Sequence, residues 1–386
     1  MKKLILSMLA IAAITFTSCT SDDDDNNGGS NKNGQLAGAI TSNLTLDASV
    51  EYTLTGAVFV KDGVTLTIPA GTTIKALAGG TDVYLLVEKG GKIVADGDAS
   101  NPIIFTSNAT SPAAGDWGGL IINGKAPISR PSGQSSNSAT EVNSGLFYGG
   151  DVENDNSGIL DYVILEYTGA RIDGDAEHNG LTLNGVGSGT TLSNIAILYG
   201  DDDAIEFFGG SVNASNILAV NAKDDMFDFT QGYTGTCTNL YGIREAGFTA
   251  VTSDPRGIEA DGNLDGNSPS DIAQSDFTVN GLTIEHSGEV EMSDAIKVRR
   301  GATATITNAI VKSGNAQAVF GDIVDLQDSK SDATDDTIIT VVIDPANGVD
   351  VTDVKNTVSA GATITATSGT TGGADFSVFS WTGYTK

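Results

Sequence analysis

Apolar and polar residues alternate in short runs from Leu36 onward. The runs YTLTGAVFV (residues 52–60), VTLTIPAGTTIKA (64–76) and YLLVEKGGKIVADG (84–97) keep a period of two, with PAG and KGG as turn signals inside them. Two later stretches copy each other: DDAIEFFGG (202–210) and DDMFDFTQG (224–232). Asp202 to Asp224, Glu206 to Asp228 and Gly210 to Gly232 each differ by 22 positions. A fixed period in the twenties is the mark of a solenoid. The β alternation makes its coils strands, so the pattern predicts an all-β, right-handed parallel β-helix with surface excursions and a C-terminal cap.

Alternation also assigns faces, because successive residues of a strand point to opposite sides. Asp203, Ile205 and Phe207 share a side with Asp225, Phe227 and Phe229, which is expected to be the core. Glu206, Asp228 and Phe208 fall on the other side, expected to face solvent. The same alignment continues that outer column through Thr182, Glu259 and Lys297. If each copy is one coil, Glu206 and Asp228 stack about 4.8 Å apart.

Asn194, Asn216, Asn239 and Asn308 recur at one place per coil, with Gly281 in the same alignment. Asn and Gly tolerate a left-handed backbone best, so this ladder is read as a stacked corner with no ligand role. Cys237 occupies the column of Leu192 and Ala214 and is read as a small core residue. Residues 127–158, rich in Ser, Asn and Gly, interrupt the rhythm and are expected to leave the coil as a surface loop, either a plain insertion or a lid. The ends of the chain, ITVVIDPANGVDVTDV and FSVFSWTGYTK, are expected to supply terminal strands and the cap that an open solenoid end needs.

The first 18 residues read as a targeting signal: Lys2 and Lys3, then an apolar run too short to span a membrane. Thr17, Ser18 and Cys19 resemble a bacterial lipobox, whose cysteine is lipidated and becomes the new N-terminus. The run Asp22 to Asp25 in a flexible tether (19–34) resembles the surface-export signal of Bacteroidetes-type lipoproteins. The resemblance implies a lipid anchor at Cys19 in the outer membrane, with residues 35–386 facing the exterior. The formal charge of −29 grows more negative once the leader is gone. A field of that sign repels nucleic acid and anionic lipid and attracts cations.

EHNGLTLNGVGSGTTLSN, DDAIEFFGGSVNAS and DDMFDFTQGYTGT resemble a widespread group of secreted bacterial right-handed β-helix proteins, as do GDWGGLIINGKAPI and YVILEYTGAR. The likeness covers residues 64–262, with His178 standing where an aliphatic residue is expected. More distantly the fold resembles pectate lyases and polygalacturonases. That likeness implies two enzyme readings, Ca²⁺ with an Arg or Lys base, or paired aspartates with a histidine. Arg244, Arg256 and Lys223 lie in the right region for the first, Arg256 being the candidate base. His178 and His286 are the only histidines, and the hydrolase Gly-His-Gly and the familiar lyase arginine pattern are both absent.

The candidate site is therefore the acidic ladder Asp202, Glu206, Asp224 and Asp228. Carboxylates about 5 Å apart repel by roughly 3 kcal/mol at an effective dielectric near 20. Protons, hydrogen bonds or a cation must relieve that, and hard oxygen donors suit Ca²⁺, the expected cofactor. Trp117, Tyr148 and Phe208 are candidate stacking residues for a ligand. The leading expectation is a non-enzymatic binding or adhesion protein that captures a glycan or other ligand beside an outer-membrane transporter. The alternative is a polysaccharide lyase or hydrolase using the acidic ladder.

Overall fold

The computed structural model describes residues 34–172, 177–349 and 361–386. Its strands wind into one right-handed parallel β-helix, with a separate two-stranded antiparallel hairpin at Ser138–Thr140 and Asn143–Tyr148. Each coil has three faces. The third face stacks Leu85–Val87, Leu120–Asn123, Leu181–Asn184, Ile205–Phe208, Phe227–Thr230, Arg256–Ala260 and Met292–Lys297 in parallel register. Glu206 pairs with Asp228 and Asp228 with Glu259, so the copied motifs are successive rungs. The cores of these rungs are the inward Ile and Phe positions. Phe207 and Phe229 stack at 5.1 Å between ring centroids, and Phe229 and Phe277 at 4.4 Å.

The first two faces meet at the asparagine corner. Strands Gly158–Glu166, Thr191–Leu198, Ala214–Val220, Thr236–Arg244, Asp276–His286 and Thr303–Ser313 all bend there. Asn194, Asn216, Asn239, Gly281 and Asn308 have φ of 51°, 56°, 61°, 82° and 51°. Tyr162 takes the same place one rung earlier, with φ 52°. The amide of Asn216 donates to Asn194 Oδ1 at 2.9 Å, so the ladder is bonded along the stack. Cys237 lies in the core column after Ala214, and burial pushes its thiol up to about 12.

The C-terminal end departs from expectation. The strand Thr363–Ser368 adds the last rung on Ile338–Ile343. The FSVFSWTGYTK segment does not seal that end; it turns back along the outside of the second face. Gly373 N–H donates to Asn308 Oδ1 at 3.1 Å, Ala374 N–H to Thr283 Oγ1 at 2.9 Å and Asp375 N–H to Asn239 Oδ1 at 2.5 Å. The short 3-10 helix Phe376–Thr382 then buries Phe379 against Leu198, Leu218, Val220 and Ile243, and Trp381 meets Tyr162 edge-on at 5.2 Å. Those outward positions are apolar, so something had to cover them, and the tail is the element that does. Cys19 and the acidic tether lie outside the described residues.

Candidate functional site

The outer column of the third face changes character along its length. Phe59, Leu86 and Ile121 come first, then Thr182, Glu206, Asp228, Glu259, Lys297 and Asp325. The excursion folds over the apolar part: Val142 and Leu146 of the hairpin pack on Leu86 and Ile121. Tyr148 and Ile128 cover Phe208, and the Tyr148 hydroxyl donates to Gln231 Oε1 at 2.5 Å. The acidic part is thus no open surface. Glu206 is only 9% exposed, and Asp202, Asp203 and Asp225 are buried. The expected solvent face is the floor of a walled cleft, because alternation assigns a side to each residue but says nothing of the loops that come to stand over it.

Eleven carboxylates and two arginines line this cleft of about 240 Å³. Asp202, Asp203, Glu206, Asp224, Asp225, Asp228 and Glu259 form the floor, from three consecutive rungs. Glu141 from the hairpin, Glu177, Asp254 and Asp265 come from four separate loops, and Arg256 and Arg299 close one end. Among the described residues, no aromatic or aliphatic side chain lines it.

The second aspartate of each pair does structural work. Asp203 Oδ1 accepts the N–H of Asp225 at 2.8 Å, and Asp225 Oδ1 accepts the N–H of Arg256 at 2.6 Å. Asp203 and Asp225 therefore point to the rim of the sheet rather than into the core where alternation had them: the regular strands start only at Ile205 and Phe227. The first aspartates are held from outside, Asp202 by Arg171 at 2.5 Å and Asp224 by Thr252 at 2.5 Å. Glu206 Oε2 accepts from the Asn179 amide at 2.5 Å. Asp228 Oδ1 is sealed from solvent with no hydrogen-bond partner among the described residues.

Burial, with like charge second, raises these carboxyls. Asp203, Glu206, Asp225 and Asp228 lie well above the usual carboxylate range. For Asp202 burial is again the main cause, offset by Arg171, and the group is pushed up to about 8. Without a cation, the floor must hold protons near neutral pH.

The arginines are already committed. Arg256 meets Glu259 at 2.6 Å, Asp294 at 3.0 Å and Asp254 at 3.2 Å, and Arg299 meets Glu259 at 2.6 Å and Asp261 at 2.8 Å. Desolvation opposes the charge on Arg256, but Asp225, Glu259, Asp254 and Asp294 outweigh it and hold the guanidinium protonated beyond its ordinary range. A group so held is a poor proton acceptor. Arg244 is fully buried, donates to the carbonyls of Ala222 and Asp224, and is lowered to about 10 by burial. Lys223 pairs with Asp201, beside Arg171. Lys297 ends the acidic column by pairing with Asp325.

Neither histidine lines the cleft. His178 is buried against Tyr84 and His286 against Phe320, and burial lowers each to about 4. The proposed stacking residues need correction too. Trp117 is wholly buried beside Phe105 and donates to the Glu166 carbonyl at 2.8 Å; Tyr148 and Phe208 are buried against each other. None offers a face to a ligand, since each is consumed by the core or by docking the excursion. The ladder Asp202, Glu206, Asp224 and Asp228 is brought together as expected. Glu141, Glu177, Asp254 and Asp265 were missed, because no spacing in the sequence links four unrelated loops.

No curated protein and no solved structure matches this chain. A family model described as a pectate-lyase-like beta-helix domain matches residues 38–385, nearly the whole described helix. The chain belongs to that family of pectate-lyase-like β-helix domains.

Proposed function

We propose that this protein is a cell-surface lipoprotein, anchored through Cys19, whose β-helix is a non-enzymatic, divalent-cation-loaded binding module. The observation that carries the reading is the cleft, in which eleven carboxylates face only two arginines and both arginines are engaged in ion pairs. Oxygen donors at this density and without nitrogen or sulfur suit Ca²⁺, and carboxylates drawn from three rungs and four loops suit its high and variable coordination number better than the strict octahedron of Mg²⁺. An organic amine or a sugar ring alone would find no apolar surface there. A bound Ca²⁺ with an open position would in turn attract an acidic glycan or an acidic patch on a partner, which fits capture beside an outer-membrane transporter.

A second reading, polysaccharide cleavage, is favoured by family membership and by the Asp202 carboxyl, pushed up to about 8 and so able to give a proton at neutral pH. One experiment separates the two. Purified full chain is titrated with Ca²⁺ by calorimetry, then incubated with pectate and alginate while unsaturated or reducing ends are followed. Ca²⁺ binding without new ends supports the binding module. New ends that vanish in Asp202→Asn or Arg256→Ala would replace it with the enzyme, and absence of Ca²⁺ binding would remove the cation reading.

A further inference from the structure

Three sets of carboxylate oxygens on the cleft floor are each compact enough for a cation. Asp202, Asp203 and Asp224 form one; Asp203, Glu206 and Asp228 the next; Asp225, Asp228 and Glu259 the third. Within each set the ligand atoms lie within 4.8 Å of one another. Two bonds of about 2.4 Å on opposite sides of a calcium ion span about that distance. The sets overlap in a chain, since Asp203 belongs to the first and second and Asp228 to the second and third.

One oxygen asks for an occupant independently of the clustering. Asp228 Oδ1 is buried and has no hydrogen-bond partner among the described residues. Beside it Glu206, about nine-tenths buried, gives Oε2 to the Asn179 amide. A buried acceptor left unmade costs about 1–3 kcal/mol, more when charged. A fourth acidic set among the described residues, Asp294, Asp322 and Asp325, lies outside the cleft and takes positive charge from Lys297 and Arg256. The third cleft set also meets Arg256 and Arg299 through Glu259, so a cation there competes with those ion pairs.

We infer that the cleft holds a row of cations rather than one, with Asp203 bridging the first and second positions and Asp228 the second and third. This rests on the cation reading above and deepens it. The repeat sets the spacing: rungs lie about 4.8 Å apart, so successive ions sit slightly farther apart than the roughly 3.5–4 Å of compact two-metal sites. A bridging carboxylate between them screens their repulsion, which is the role that shared aspartates on adjacent rungs can fill. Each set supplies three oxygens, and bidentate contacts, the wall carboxylates Glu141 and Asp265, and water complete the six to eight that Ca²⁺ takes.

The test is stoichiometry. Full-length protein is dialysed against Ca²⁺ in physiological sodium chloride, and bound calcium per chain is counted by elemental analysis. The parent is expected to hold more than one tightly bound ion. Asp224→Asn, confined to the first set, should remove one; Asp203→Asn, shared by two sets, should remove more. Asn at 203 keeps an oxygen for the Asp225 N–H, and thermal melting of each variant verifies that it is folded. One ion per chain in the parent would overturn the row while leaving a cation site. No ion would overturn both. Equal losses in Asp203→Asn and Asp224→Asn would overturn the bridging.

Discussion

Asp203 Oδ1 accepts the backbone N–H of Asp225, its own counterpart one rung further on, at 2.8 Å. One carboxylate therefore serves both the stack and the cleft, and substitution can divide the roles. Asp203→Asn retains an acceptor and is expected to melt near the parent in chelator, yet to lose Ca²⁺ affinity. Asp203→Ala loses the acceptor as well and is expected to cost a further ~1–3 kcal/mol in urea unfolding. If the two variants were equally unstable in chelator, the backbone cap would contribute nothing.

The raised carboxyls fix the sign of the pH dependence. Asp202 titrates at about 8 in the folded chain against about 4 when unfolded, so the folded state binds more protons between those values. Stability in the absence of divalent cation is then highest near pH 4 on this account and falls as pH rises towards 8. Ca²⁺ replaces the protons, so its affinity should rise over the same interval and binding should release protons. Melting curves from pH 4 to 8, with chelator and with Ca²⁺ at matched ionic strength, check this. A chelated protein whose stability climbs steadily over that range would contradict the buried acidic floor.

The tail makes a separate prediction. Phe379 is fully buried between the second face and the aromatic residues of the tail. Phe379→Ala is expected to cost about 3–5 kcal/mol in denaturant unfolding. The cleft lies on another face, so Ca²⁺ stoichiometry should stay at the parental value.

At the asparagine corner, Asn216 has φ 56° and bonds to Asn194. Asn216→Gly keeps the backbone conformation and should be mild. Asn216→Ala adds a left-handed penalty of about 1–2 kcal/mol and should be visibly worse in urea. Equal stability of the Gly and Ala variants would mean that the corner relaxes.

The anchor is tested in cells. Cys19→Ala should abolish labelling with a clickable fatty acid and release the protein from the membrane fraction. Replacing Asp22 to Asp25 with Ala should reduce digestion of the protein by protease added to intact cells.

The repeat, the register of Glu206 over Asp228, the left-handed asparagines and the continuation to Glu259 and Lys297 were all legible as periodicity, since one rung constrains the next. The cleft walls were not. Glu141, Glu177, Asp254 and Asp265 are placed by excursions that obey no period, and those same excursions turn a solvent face into a buried one. Trp117 misled for a related reason: a coil interior can take a large aromatic wherever Phe105 stacks beneath it, and alternation alone does not distinguish that place from a platform.

A stack of coils in which each touches only its neighbours frays from its ends, one rung at a time. Here the chain that makes the last strand, Thr363–Ser368, continues as the tail that reaches back to Tyr162. Peeling that strand pulls on a buckle fastened several coils away, at Asn308, Thr283 and Asn239. The same wiring delays completion during synthesis, because the second face stays uncovered until residues 373–384 have emerged.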